Sequence, residues 1–244
     1  MPEPSLTEEA PEGASVPVRA PMSFGQEALW FLSRLAPESR AYHLCGAARL
    51  PGPVDRAALA GAFAALGRRH AALRTTFGEG PDGAPEQRVA ADDAGTSGIA
   101  FSDVPVADEA ALAARLRFEL DRPFDLERGP LLRAGVLDAG GEPVLWLAAH
   151  HLVADFWSLA LLLRDLGAAY AAGGREVPGP APGGVTYAEW ARGQRERTAG
   201  PEGRAELAWW REALAGELPR LELPADRPRP AVRTWDGGAV DFRL

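Results

Sequence analysis

The sequence predicts an α/β fold: a two-layer sandwich in which a mixed sheet is flanked by helices. Three observations predict it. Segments with helical spacing of apolar residues alternate with short strand-like segments along most of the 244-residue chain. One of these segments, "PVLWLAA", is apolar on both faces, as a strand covered from both sides must be. Helix-start signals precede several of the helical stripes.

Taken in order, "SFGQ" forms a capping box: Ser23 accepts from the backbone N–H of Gln26 while Gln26 reaches back, starting a helix that Pro37 ends near Ala36. "YHLCGAARL" follows as a strand. Asp55 caps a second helix with Leu59, Phe63 and Leu66 on one face, ending around "GRRH". In "LRTTF" strand alternation puts Leu73, Thr75 and Phe77 on one side and Arg74 with Thr76 on the other. The Gly-, Pro- and Asp-rich segment from Gly78 to Thr96 reads as an exposed loop or hairpin without assigned chemistry. A helix runs from Asp108 to Leu120, and "LLRAGVL" and "PVLWLAA" are neighbouring strands joined through "DAGGE". Leu159, Leu162, Leu163, Leu166 and Tyr170 mark the next helix. "AAGGREVPGPAPGG" is a connecting loop. "TYAE" starts another capped helix, and "AELAWWREALAGEL" carries Leu207, Trp210 and Leu214 on one stripe. The tail beyond it holds too many prolines for regular structure.

Composition narrows the function. Lys and Arg number 26 against 34 Asp and Glu, a net charge of −8, and no long basic run occurs, so nucleic acid is not an expected partner. The single cysteine, Cys45, leaves no internal disulfide framework and no cysteine-based zinc site, and fits a reducing, cytoplasmic setting. Residues 1–16 carry acids and prolines where a secretory signal needs basic residues and an apolar run, so they are expected to form a disordered leader. No apolar stretch approaches the ~20 residues of a membrane span, and no membrane partner is expected.

The stretch "LAAHHLVADFWSLALLLRDL" gathers two histidines, an aspartate and a serine between a strand and a helix. Successive strand residues point to opposite faces, so one of His150 and His151 faces a cleft and the other the interior. Asp155, four positions beyond His151, can orient an imidazole or anchor the loop. A neutral imidazole, with a reference pKa of about 6.5, suits general-base work near neutral pH. Asp155 and Ser158 lie at a helix start, where free N–H groups and the positive dipole end can stabilise a developing oxyanion. A metal site would need more converging ligands, so none is assigned, and a serine hydrolase would show a G-x-S-x-G elbow, which is missing. On this stretch alone, a catalytic and a purely structural histidine pair both remain open.

With these residues in view, the chain resembles the condensation domains of nonribosomal peptide synthetases. "HHLVADFWS" is similar to their HHxxxDG signature, with His150, His151 and Asp155 on the motif positions. "SFGQEALWFL" resembles the first core motif of that family, "RRHAALRTTF" the second and "YAEW", more loosely, the fourth, in the same order. "RPFDLERGPLLR" and "WWREALAGELPRLELPADRPRPAVRTWDGG" add further likeness, so that the resemblance covers nearly all of residues 17–244. It implies a chloramphenicol-acetyltransferase-like lobe. The implied activity is amide formation by attack of a carrier-bound amine on a carrier-bound acyl thioester, with no cofactor bound directly. Both substrates would arrive on phosphopantetheine arms of donor and acceptor carrier proteins, in peptide or hybrid polyketide synthesis. His151 would be catalytic, accepting a proton from the amine or positioning it. His150 and Asp155 would be structural support, with Asp155 paired to a buried arginine, Arg74 first and Arg69 second, a pair costing ~3–5 kcal/mol to break from one side.

Two departures from the pattern carry consequences. Phe156 stands where the family has glycine and would reshape or narrow the donor channel. Nothing resembles the motifs of the second lobe, so the chain is expected to be an N-terminal half whose C-terminal lobe is a further partner. Such a half would fold but be inactive alone, exposing an apolar patch. A catalytically silent docking domain for carrier proteins and a free-standing acyltransferase are the competing readings.

Overall fold

The computed structural model describes residues 17–91, 98–179 and 183–219, with isolated positions at 221, 224, 228 and 231. The expected leader and most of the proline-rich tail lie outside the described residues.

Four strands form the central sheet in the order β2 (His43–Arg49), β7 (Val144–His150), β6 (Leu132–Asp138) and β5 (Ile99–Pro105). β5 and β6 run parallel and the other pairs antiparallel, which makes the sheet mixed as predicted. Alternation along β7 divides its residues between two cores. Leu145, Leu147 and Ala149 face α2 (Arg56–Arg69) and α4 (Phe156–Ala171), where Leu59, Phe63, Leu66, Leu162 and Leu166 are buried. Val144, Trp146 and Ala148 face α3 (Glu109–Asp121) together with Leu112 and Leu137. Full burial of side chains such as Phe63 or Trp146 stabilises the fold by about 1.5–3 kcal/mol each. Gly135 on β6 is required by this packing, because a Cβ there would lie 2.5 Å from the Ser102 carbonyl oxygen and 2.8 Å from the Trp146 indole nitrogen.

A second, antiparallel sheet has the order β1 (Val18–Pro21), β4 (Pro85–Val89), β3 (Thr75–Glu79). The Gly78–Thr96 segment therefore contains half of a hairpin, with residues 92–97 outside the described set. This sheet and α1 (Phe24–Leu35) enclose a third core of Met22, Trp30, Phe77, Leu131 and Leu152. Ser23 and Gln26 make the predicted capping box, and Asp55, Asp108 and Asp155 cap α2, α3 and α4. Thr186 and Glu189 form a second capping box for α5 (Tyr187–Ala199), which contacts β1 and α6 (Pro201–Ala213). The α6 stripe of Leu207, Trp210 and Leu214 is half exposed, as is Trp209. No helix among the described residues is long and apolar enough to cross a membrane.

Candidate active site

The two histidines part at the end of β7. His150 follows Val144, Trp146 and Ala148 onto the α3 side and is 5% exposed. Its Nδ1 accepts from the Leu152 backbone N–H at 3.2 Å, which places the ring proton of the neutral form on Nε2. Phe124 and His43 meet the ring edge-on, with centroids at 5.9 and 6.2 Å. Burial, reinforced by the neighbouring charges of His43 and His151, pushes its pKa down to about 4, so His150 is neutral at pH 7. His151 is held by its backbone, whose N–H donates to Tyr42 O at 2.9 Å, and its side chain is exposed.

His151 opens on a cleft of about 660 Å³ bounded by α1, the β3–β4 hairpin and the starts of α4 and α5. Asp155 and Ser158 lie on the same wall. Asp155 Oδ1 accepts from the Ser158 backbone N–H at 2.7 Å and from its hydroxyl at 2.6 Å. These two bonds hold the carboxyl below the usual carboxylate range. The cap explains the local fold, since a side-chain acceptor three residues before a free helix N–H starts α4 where the histidine loop ends.

The pairing expected of Asp155 is corrected here. Asp155 does not pair with Arg74 or Arg69, because a local donor pair on Ser158 satisfies it without a distant charge. Arg74 instead donates to the carbonyls of Gly67, Arg68 and Ala90, closing the C-terminal end of α2, and Arg69 faces the buried carboxylate of Asp165 at 3.4 Å. Ser158, expected as an oxyanion or channel position, directs both its N–H and its hydroxyl to Asp155 Oδ1. Phe156, expected to reshape or narrow a donor channel, is 84% exposed and is not among the residues that line this cleft.

Two residues that sequence reasoning passed over complete the site. Gln26, read only as a cap, donates from Nε2 to Leu152 O at 3.3 Å and so braces the residue after His151. Gln87 on β4 is 1% exposed, lines the cleft, and donates to Pro21 O and Gln26 Oε1 at 2.9 and 3.3 Å. The signal was present in the alternation of "EQRV", where Gln87 and Val89 share one face. No three His, Cys, Asp or Glu side chains converge as a metal site among the described residues.

Residues 18–244 match the family model described as Condensation domain. A linear gramicidin synthase of Brevibacillus parabrevis is 40% identical over 228 residues, covering 92% of this chain and 4% of that protein. Phosphinothricin tripeptide synthetase PhsC of Streptomyces viridochromogenes is 40% identical over 230 residues, covering 92% of this chain and 21% of the relative. Among solved structures, the X-domain in its complex with OxyB from teicoplanin biosynthesis superposes with a TM-score of 0.72 at 33% identity, over 92% of this chain and 50% of the other. The chain thus spans a small part of these synthetases and about half of that solved domain.

Proposed function

This chain belongs to the condensation-domain family, and from that premise we propose that it is the first of two chloramphenicol-acetyltransferase-like lobes that join a carrier-bound amine to a carrier-bound acyl thioester. In the reaction the amine nitrogen attacks the thioester carbonyl and a C–N bond forms. The tetrahedral oxyanion collapses, the C–S bond breaks, and the nitrogen's proton passes to the departing thiolate. In this reading His151 accepts that proton and returns it, or holds the amine for attack. His150, neutral and bonded to the loop it precedes, fixes the backbone from which His151 projects.

The observation that carries the reading is the division of the histidine pair, one ring sealed under α3 and the other open to the cleft. The half-exposed tryptophans and leucines of α6 suit burial beneath a second lobe, which would also exclude water from the cleft and strengthen its electrostatics. A docking-only role draws support from the likeness to a domain solved bound to OxyB, but the 40% identity to peptide synthetases weighs for condensation. The test is a single-turnover assay with the lobe in a complete condensation domain, a donor carrier loaded with an acyl thioester and an acceptor carrier loaded with an aminoacyl group. Mass spectrometry should find the amide on the acceptor carrier. Carrier binding without transfer would instead establish the docking role.

A further inference from the structure

Polar groups on the cleft wall are for the most part committed within the protein. Thr75 Oγ1 donates to Ala71 O at 3.0 Å, the Thr186 hydroxyl donates to Glu189, the Tyr187 hydroxyl bonds that of Ser23 at 3.0 Å, and the Ser158 hydroxyl donates to Asp155 Oδ1. Beside the His151 ring, Gln87 is an exception. Its Nε2 donates to Pro21 O and to Gln26 Oε1. That amide cannot be reversed without facing oxygen to oxygen. Gln26 is fixed in the same sense, since its Oε1 accepts from Ser23 N–H at 3.0 Å and its Nε2 donates to Leu152 O. The relay leaves Gln87 Oε1 as an acceptor with no hydrogen bond among the described residues, on a side chain that is 1% exposed and lines the cleft shared with His151.

We propose that this cleft recognises a largely apolar, non-anionic acyl or aminoacyl side chain carrying a hydrogen-bond donor, and that Gln87 reads the donor. The inference rests on assigning the cleft to the reacting substrate. Leu29, Phe77, Val89 and Leu152 supply the apolar wall. Among the described residues no lysine or arginine lines it, so an anionic side chain would be desolvated without a counter-charge and would face the Asp155 carboxylate on the same wall. Water can satisfy Gln87 Oε1 when the cleft is empty. A substrate bearing an N–H or O–H replaces that water bond for bond, whereas one of the same shape without a donor displaces it and leaves the oxygen unpaired. Discrimination therefore comes from rejection of the donor-free analogue.

The experiment is calorimetric or NMR titration of this chain with matched probes. These are N-acetyl-tyrosinamide against N-acetyl-phenylalaninamide, and N-acetyl-tryptophanamide against its indole N-methyl analogue. The donor-bearing member of each pair should bind at least about tenfold more tightly. Gln87→Leu and Gln87→Met, each checked for native circular dichroism, should bring the ratio close to one. Equal affinities in the wild-type chain overturn the proposal whether or not the variants fold, and so does a preference that survives in a folded variant. The two assignments fail separately. Amide formation by the two-lobed enzyme without probe discrimination removes only the role of Gln87, while discrimination without amide formation supports recognition and removes the condensation reading.

Discussion

The α3 side of the central sheet and the cleft side of the histidine loop are separated by one peptide bond, between His150 and His151. On the α3 side, several polar side chains are tied to the chain around the end of that helix, although Arg133 Nε and Trp146 Nε1 are buried there without a hydrogen bond among the described residues. His43 Nδ1 and Cys45 Sγ meet Leu120 O at 3.3 and 3.7 Å, and Arg133 donates to Pro123 O at 3.2 Å while its guanidinium lies 3.9 Å over the Phe124 ring. Desolvation there lowers the pKa of Arg133 to about 10 and that of His150 to about 4. On the cleft side, the His151 ring and Gln87 Oε1 remain available to a ligand. The difference lies in access, since polar groups on the α3 side are sealed by packing and those on the cleft side can meet a ligand.

The comparison predicts that acid attacks the frame first. Folded His150 titrates near 4, whereas an unfolded histidine titrates near 6.5, so the unfolded chain takes up the proton first as pH falls. The stability contributed by neutral His150 is thus complete above about pH 6.5 and is lost toward pH 4, a change of about 3 kcal/mol. His43, also lowered mainly by burial, adds to the same slope. Urea unfolding followed from pH 7 to pH 4 should show the loss, and His150→Gln should flatten it. An unchanged profile in that variant would place His150 outside the closed region.

A smaller effect is expected at the hinge between the regions. Asp155→Ala removes the α4 cap and leaves the Ser158 N–H without its acceptor, costing about 1 kcal/mol in chemical denaturation. Arg74→Ala should not share that effect in a double-mutant cycle with Asp155→Ala, because the two side chains have separate partners. Coupling above about 0.5 kcal/mol would restore the pairing expected from sequence. The smallest effect belongs to Phe156→Ala, at about 0.5 kcal/mol or less in the same assay, since that ring is turned to solvent. A larger loss would show that the ring packs against something.

Much of this arrangement was legible in the sequence because it is local. The capping signals at Ser23 and Asp55 and the period-two divergence of His150 and His151 depend only on neighbours within a few residues. β5 escaped the reading because Ser102, Asp103 and Pro105 interrupt its apolar pattern, and its parallel pairing with β6 is set by the tertiary fold. β1 is four residues long and ends in proline. The partner of Asp155 was misread by seeking a distant charge where "DFWS" held a cap of Asp and Ser three residues apart. Gln87 was hidden in a segment whose glycines and prolines read as loop, and its buried contact with Gln26 spans 61 residues of sequence.

The central claim is that His151 works in the cleft while His150 holds the frame. It is tested most directly by measuring single-turnover amide formation and unfolding free energy side by side for His151→Ala and His150→Ala in a complete condensation domain. The account predicts that His151→Ala retains wild-type stability within about 0.5 kcal/mol but loses at least about 100-fold in rate, as removal of a proton-transfer group does. It predicts that His150→Ala is destabilised by about 2 kcal/mol or more, since it leaves a cavity and an unpaired Leu152 N–H. Undiminished turnover by His151→Ala, with stability unaltered in both variants, would contradict the account.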